Sequence, residues 1–212
     1  MAQLPATTED LLTHLDNAIA RVNASDGDVG DFLKLTKAEE WIYGKDGLET
    51  QEGSKWAIDP RSFAMGFIAW SEDSKVLGDH MASVYSAPVL QSELPSVDAD
   101  WDEQVAFNLT CVSGEDKKTR VVYKTTTQGG VKEFKRVLME LRGRAKAGQE
   151  EIVPVVLLQS DSYQHSVKKY GRVITPIFNI TEWHSLDAGV EDVDQEVLED
   201  EKPKGRRRRK VA

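Results

Sequence analysis

The sequence predicts a mainly β fold: an OB-like β-barrel with hairpin extensions, one amphipathic helix late in the core and a short N-terminal helix. Apolar residues alternate with period two over most of residues 32–123, and one later stretch has helical periodicity. Strand and helix patterns do not alternate as they do in βαβ units, which argues against a parallel sheet. A β-sandwich or another α+β fold is the alternative.

The N-terminal region is predicted to form a helical arm. Residues 7–24 space leucine, isoleucine and valine at a helical period behind threonines that can cap a helix, and the Gly- and Asp-rich stretch 25–31 has linker composition. We therefore expect an arm and linker at residues 1–31, a barrel domain at 32–185 and a disordered acidic-then-basic tail at 186–212. The arm either docks loosely or contacts another subunit.

Alternating apolar residues mark the strands of the barrel, with polar, Gly-containing turns between them. They are Leu33/Leu35, Trp41/Tyr43, Trp56/Ile58, Phe63/Met65/Phe67, Val105/Phe107/Leu109/Cys111 and Val121/Tyr123. Two later runs, 152–163 and 171–183, complete the set of strands. The stretch 85–103 contains two prolines and is predicted to be a surface lid or a functional loop.

Residues 129–148 are predicted to form the helix of the core. Thr127 or Gln128 precedes its start, and Gly148 can end it. Its apolar residues form one stripe, whereas its lysines and arginines lie mostly outside that stripe. The stripe comprises Val131, Phe134, Val137, Leu138, Leu141 and Ala145.

The composition indicates a protein that works inside a cell. The chain has 212 residues, a formal net charge of −9 and one cysteine, Cys111, which excludes an intramolecular disulfide and is expected to be a buried thiol. No apolar run approaches the roughly 18–20 residues that span a bilayer, and the N-terminus lacks the pattern of a signal peptide. We expect a cytoplasmic protein without membrane association.

No motif predicts catalysis, a metal or a cofactor. The four histidines are far apart, and their spacing is not that of a metal site. Asp161 and His165 could orient an imidazole, but a polar turn explains them more simply. Glu115 and Lys117 resemble the E-x-K element of metal nucleases, and a turn is again the simpler interpretation. The Gly-Gly pair that opens the helix could receive a phosphate, although capping alone explains it.

Positive charge is concentrated in one part of an otherwise acidic chain. Residues 117–172 hold thirteen Lys/Arg and five Asp/Glu, and two stretches within them interleave cations with aromatic residues. Sequence-tolerant binding of single strands requires such interleaving, because cations follow the backbone and rings stack on bases. The predicted nucleic-acid contacts are Lys117, Lys118, Arg120, Tyr123, Lys124, Tyr163, Lys168, Lys169, Tyr170 and Arg172, with Trp41 and Trp101 as further rings. The alternative is that these are ordinary solvated turns with partly buried tyrosines.

Several segments of the core resemble phage-encoded OB-fold single-stranded DNA-binding proteins. They are FLKLTKAEEWIYGKDG, GSKWAIDPRSFAMGFIAW, VVYKTTTQGGVKEF and VPVVLLQSDSYQHSVKKYGRVITPIFNITEW, within residues 32–183. The resemblance implies a role in replication or recombination, the protection of single strands and contact with a polymerase or nuclease. Proteins of this class generally end in an acidic tail that recruits partners, whereas here the acidic residues 187–201 are followed by a basic stretch.

The C-terminal tail combines both signs of charge. Its acidic run can occupy the basic region in cis or attract replication or recombination proteins. Arg206, Arg207, Arg208 and Arg209 form a polycation that should add weak, salt-sensitive affinity for any polyphosphate. A solvated tail that neutralises itself is the alternative.

The leading functional hypothesis is a non-enzymatic single-stranded DNA-binding protein, without strong sequence preference, that acts in phage DNA replication or recombination. A homo-oligomer is a further option. The alternative is a protein-interaction module, such as a virion or host-takeover factor, whose barrel has no nucleic-acid groove; a metal nuclease ranks third. Scattering of the predicted cations over opposite faces would argue against the groove.

Overall fold

The structure, a computed structural model, describes residues 31–167, 169 and 171–186, and this part of the chain contains ten strands and one α-helix. The strands are β1 (Asp31–Leu35), β2 (Trp41–Tyr43), β3 (Leu48–Glu49), β4 (Lys55–Ile58), β5 (Ala64–Trp70), β6 (Val76–Ser83), β7 (Trp101–Cys111), β8 (Arg120–Thr125), β9 (Glu151–Gln164) and β10 (Arg172–Ser185), and the helix is α1 (Gln128–Lys146). Short 3₁₀ turns occupy Pro60–Ser62 and Gln91–Glu93. The expected N-terminal helix and the C-terminal tail lie outside the described residues.

All ten strands belong to one curled sheet, in the order β10-β9-β4-β7-β8-β1-β2-β3, with β5 and β6 branching from β7. The long strand β7 pairs through its first half with β5 and through its last residues with β4. After β8 the chain crosses over through α1, and β9 returns to pair with β4. Three antiparallel strands, a helix and a returning hairpin are the arrangement of an OB-like Greek-key barrel. The predicted class is confirmed for the described residues: a mostly β fold with one late helix.

The core lies between the sheet and α1, and it is built from aromatic rings. Phe178 of β10 packs edge to face against Phe107 and Tyr123, with ring centroids 5.0 and 4.9 Å apart. Phe134 of α1 and Phe63 join the same cluster through Phe107. Each of these rings is at most 4% exposed, so burial of each contributes roughly 2–3 kcal/mol. The alternation that predicted β7 and β8 corresponds to these inward-facing residues.

The start of α1 requires a glycine. The Thr127 hydroxyl caps the helix by accepting from the Gly130 amide at 3.2 Å. A Cβ atom on Gly130 would lie 2.5 Å from Thr125 Cγ2 and 2.7 Å from the Tyr123 hydroxyl, so glycine allows the helix to approach β8. The predicted apolar stripe packs into the core, and Gly148 follows the helix with a φ of +68°.

The helix also covers part of the open edge of β10, the last strand of the sheet. The Glu133 carboxylate accepts from the Phe178 amide at 2.7 Å, and the Arg136 guanidinium donates to the Phe178 carbonyl at 2.5 Å. Arg136 also donates to Glu133, and this hydrogen bond raises the pKa of Arg136. The two side chains bond to the backbone of Phe178 on the side of β10 where none of the described strands pairs.

The structure contains one long strand, β6, that the sequence did not predict. Its eight residues are exposed or half-buried on both faces, so no apolar alternation marks them. The strand pairs with β5 along its length, and a Cβ on Gly66 would lie 1.8 Å from the His80 carbonyl oxygen, so the close approach requires glycine. The predicted loop at 85–103 is irregular up to residue 100, apart from its 3₁₀ turn, and β7 begins at Trp101.

Candidate nucleic-acid interface

A cleft opens where the sheet does not close into a barrel. β1 and β8 run parallel and pair from Asp31 to Leu33 and from Val121 to Tyr123, where the pairing stops. Among the described strands, β8 is not paired with β10. The resulting cleft has a volume of about 500 Å³ and is bounded by β1 and the turn after it, the end of β8 and the start of β10.

Two contacts hold the β1–β2 turn across this opening. Glu39 pairs with Arg172 at the start of β10, and Trp41 of β2 donates from Nε1 to the Gln159 carbonyl of β9 at 3.1 Å. Arg172 also donates from Nε to the Ser162 hydroxyl at 2.9 Å, which fixes the position of its side chain. Polar contacts therefore connect the walls of the cleft.

Among the residues that the structure describes, four cations line the cleft: Lys34, Lys37, Lys124 and Arg172. Two of them are paired with carboxylates, Arg172 with Glu39 and Lys124 with Asp79. The other two are exposed. Four cations and two acids leave a positive balance, and a concave site with one prevailing sign of charge raises the local concentration of anions.

The floor of the cleft carries hydroxyl groups and the buried ring of Tyr123. The Thr125 and Thr127 hydroxyls lie 3.0 Å apart at the helix start, and the Thr36 hydroxyl accepts from two backbone amides of the β1–β2 turn. Burial raises the pKa of Tyr123 to about 12, so its phenol stays protonated at neutral pH. Leu33, Leu35, Val173, Ile174 and Pro176 also line the cleft, so the lining between its cations is uncharged and largely apolar.

Phe32 adds an exposed aromatic ring on the outer face of β1, two residues before the cleft residue Lys34. Alternation along β1 puts Phe32 and Lys34 on the outer face of the sheet, with Leu33 buried between them. Phe32 is 46% exposed and lies opposite Val122 in the register with β8. On β8, Lys124 lies on the same face, two residues beyond Val122. A ring and two cations therefore share one surface.

The structure brings three of the predicted site residues together in the cleft, Tyr123, Lys124 and Arg172. Arg120 lies on the same outer face of β8 as Lys124, four residues earlier. Lys117 and Lys118 lie in the turn before β8, at the opposite end of this strand. The predicted cations are therefore divided between the two ends of β8, and one end forms a cleft.

Trp41 and Tyr123 do not provide the exposed rings that the sequence-based prediction requires. Trp41 is 6% exposed and Tyr123 is 4% exposed, and both pack against Phe178 in the core. Trp41 borders polar loops in the sequence, but its indole reaches across to the Gln159 carbonyl on β9, which places the ring over the core. Stacking on bases needs an accessible ring, so neither residue can act as a stacking platform, although the buried Tyr123 ring lines the cleft.

Trp101 is half-buried and does not line the cleft. Its ring lies against Gly78, where a Cβ would be 2.3 Å from Trp101 Cη2, and it meets the His80 ring edge to face at 5.4 Å. Its Nε1 donates to the Pro95 carbonyl at 3.2 Å. Trp101 thus anchors the loop 84–100 on the β5–β6 hairpin, which is a structural role.

The β9–β10 hairpin carries the remaining predicted contacts. Tyr163 is 54% exposed and lies opposite Val173, and Lys169 is exposed in the connecting turn. Lys168 and Tyr170 lie outside the described residues, as do the four arginines of the tail. In an OB-like barrel this hairpin corresponds to the loop between the last two strands, which borders the ligand-binding face.

The two segments weighed for catalysis make structural contacts, and in the first of them Asp116 lies between Glu115 and Lys117. The buried Asp116 carboxylate accepts from the Tyr43 hydroxyl at 2.7 Å and from the Gln51 amide at 3.0 Å. His165 Nδ1 accepts from the Val167 amide at 2.9 Å within the hairpin turn. Within the described residues, no three His, Cys, Asp or Glu side chains are grouped as a metal ion would need.

Sequence reasoning missed Phe32, Lys34 and Lys37. Alternation around the buried Leu33 is enough to place the first two on an outer face, but it does not show what lies beside them. The parallel pairing of β1 with β8 brings them to Lys124, and no local pattern contains this contact between distant segments.

Comparison of the chain with known protein families, curated proteins and solved structures gave no match. The described part of the chain contains no helix with the length and apolar character needed to cross a membrane.

Proposed function

We propose that this protein binds single-stranded DNA, without strong sequence preference, along the cleft and the outer face of β1 and β8. The observation that carries the proposal is the cationic cleft at the open seam of an OB-like barrel, with the exposed ring of Phe32 two residues from Lys34 on the outer face of β1. Cations that follow a backbone and a ring that stacks on bases are the elements of sequence-tolerant binding. The resemblance to phage single-stranded DNA-binding proteins supports a role in replication or recombination in a host cytoplasm, with proteins of those processes as partners.

The arrangement favours a single strand over a duplex. In a duplex the bases are stacked and paired, so a surface ring such as Phe32 cannot stack on them. A single strand exposes its phosphates and its base faces together, and Phe32 lies two residues from Lys34 on one face of β1. The proposed role is binding, which needs neither a catalytic group nor a cofactor.

Fluorescence anisotropy tests the proposal with a labelled single strand of about 30 nucleotides, its duplex and a salt series. We expect the full-length protein to bind the single strand at least about tenfold more tightly than the duplex, with an affinity that falls as salt rises. Lys34→Ala combined with Lys124→Ala should weaken binding about 10–30-fold. The salt slope should fall by about 1.4, since each phosphate contact on a single strand contributes about 0.7.

Two controls separate the cleft from other positive charge. Lys146→Ala removes an exposed lysine at the far end of α1 and should change the affinity by less than about twofold. Alanine at Arg206–Arg209 removes the basic tail, and the preference for a single strand should persist. Equal affinity for duplex and single strand, or complete loss of binding without the tail, would contradict the proposal and reduce the affinity to a polycation effect.

A protein-interaction role is the second candidate, and the tip of the β5–β6 hairpin favours it. Trp70, Val76 and Leu77 are 44%, 51% and 42% exposed, and Trp70 lies opposite Val76 in the register. Clustered exposed apolar side chains are typical of contact surfaces. If the tip joins two copies of the chain, sedimentation velocity should show a dimer that Trp70→Ser with Leu77→Ser dissociates. A wild-type monomer at all concentrations would rule this contact out.

A further inference from the structure

The carboxylate of Asp79, on a strand that is not adjacent to β8, reaches a lysine of the cleft on the outer face of β8. Asp79 of β6 pairs with Lys124 of β8 at 2.6 Å, across the intervening strands β5 and β7. The registers place Ala64 and Gly66 of β5 and Gln104 and Ala106 of β7 on the face of the sheet between Asp79 and Lys124. Three of these four positions carry no side chain larger than a methyl group, and Ala106 is the register partner of both Ala64 and Lys124.

Gln104 fixes the position of Asp79. The Gln104 residue is 3% exposed, and its Nε2 donates to Asp79 Oδ1 at 3.0 Å and lies 3.3 Å from Met81 Sδ. Lys124 binds the other carboxylate oxygen, Oδ2. A neutral amide orients the carboxylate without cancelling its charge, so the negative charge remains directed at Lys124.

We propose that Asp79 is a built-in competitor of the nucleic-acid backbone: in the unbound protein its carboxylate occupies the place beside Lys124 that a phosphate takes when a single strand binds. This inference rests on the proposed function of the cleft. The Asp79 side chain is 36% exposed and the Lys124 side chain 23%, so solvent and salt screen the pair and a phosphate can displace the carboxylate. The β5–β6 hairpin thereby limits the affinity of the site.

Asp79→Asn tests this role, because asparagine keeps the shape and can still accept from Gln104 but carries no charge. We expect the full-length variant to bind a single strand of about 30 nucleotides about 3–10-fold more tightly than wild type at low salt, with a gain that shrinks as salt rises. Lys124→Ala in the same chain should abolish the gain. Glu140→Gln makes the same charge change at an exposed position of α1 and should alter the affinity by less than about 1.5-fold.

The failure of this inference and the failure of the proposed function give different results. A wild-type protein that does not bind single strands overturns the proposed function. Wild-type binding that depends on Lys34 and Lys124, without a gain in Asp79→Asn, overturns the role of Asp79 alone. A gain that survives Lys124→Ala, or an equal gain in Glu140→Gln, assigns the effect to net charge and also overturns the role of Asp79.

Discussion

The two ends of β8 have similar compositions and opposite structures. At its start, the turn from Gly114 to Thr119 is closed by backbone hydrogen bonds and by the buried Asp116 carboxylate. At its end, pairing with β1 stops and the strand borders a cleft lined by cations. Both ends contain lysine and threonine, so the presence of a cation does not decide which end can take a ligand. What decides it is whether the backbone and buried polar groups of that end already have hydrogen-bond partners within the protein.

In the closed turn at the start of β8, the backbone amides of the lysines donate hydrogen bonds. Gly114 has a φ of +80°, and a Cβ there would lie 2.1 Å from Gln51 Oε1, which accepts from the Glu115 amide at 2.7 Å. Lys118 adopts a left-handed φ of +74°, and its amide donates to the Cys111 carbonyl at 2.8 Å. A lysine in this conformation is strained, and the hydrogen bonds of the turn hold it there.

Removal of the buried carboxylate should have the largest effect on the closed end. Asp116→Ala leaves the Tyr43 hydroxyl and the Gln51 amide without their acceptor, which should lower the free energy of unfolding by about 3 kcal/mol. Urea denaturation measures this loss. Glu115→Ala, one residue away and exposed, should cost less than about 0.5 kcal/mol. Equal losses in the two variants would contradict the structural role of Asp116.

At the open end of β8, close packing of the start of α1 against the strand makes stability sensitive to substitution of Gly130. Gly130→Ala places a methyl group within 3 Å of Thr125 and Tyr123, as the 2.5 and 2.7 Å contacts require, and should cost about 2 kcal/mol. Gly143→Ala meets no atom within 4 Å and should stabilise the same helix by about 0.5–1 kcal/mol. Thermal unfolding measures both changes: the melting temperature should fall in Gly130→Ala and rise in Gly143→Ala. Stabilisation by both substitutions would show that the helix start is not tightly packed.

Alkaline pH should affect buried groups at both ends. Burial raises the pKa of Cys111, near the closed turn, to about 11, and that of Tyr123, behind the cleft, to about 12. The unfolded chain loses these protons first, from ordinary values of 9.0 and 10.0, so the stabilisation is complete below pH 9 and is lost as pH rises toward the folded values. Between pH 8 and pH 10, wild type should lose about 1 kcal/mol more than Cys111→Ala in urea unfolding. Identical pH dependence would mean that the thiol titrates normally.

The smallest effect is expected at Lys118. Lys118→Gly relieves the left-handed strain and is partly offset by chain entropy, so the net gain in stability should be about 0.5 kcal/mol. Anisotropy with a single strand should give an affinity within about twofold of wild type. A loss of about tenfold would instead assign the main contacts to the closed end of β8.

Strands with one buried face could be predicted from the sequence, because burial of alternate residues imposes period two. Val105, Phe107 and Tyr123 show this on β7 and β8. β6 could not be predicted, since it forms through backbone pairing with β5 and buries neither face. The helix was predictable because its cap at Thr127 and its apolar stripe are local features.

The candidate site was predictable only in part. Local charge identified Lys124 and Arg172, but whether the two residues lie in the same cleft depends on the relative positions of β1, β8 and β10. Trp41 shows the reverse case: its polar neighbours indicated exposure, whereas contacts with Gln159 and Phe178 bury it. Local sequence reports which residues are polar, and contacts between distant segments decide which are accessible.

The parallel pairing of β1 with β8 also has a kinetic meaning, since its register partners Asp31 and Val121 are about 90 residues apart. A nascent chain must complete β8 before β1 can dock, and the closure of so long a loop has an entropic cost that short hairpins avoid. Three register pairs attach β1 to β8, so we expect β1 to open first when the fold fluctuates. Strand β1, which carries Phe32 and Lys34, is then the last to dock. A nucleic-acid strand bound across the cleft would stabilise β1 against the part of the domain that is already folded.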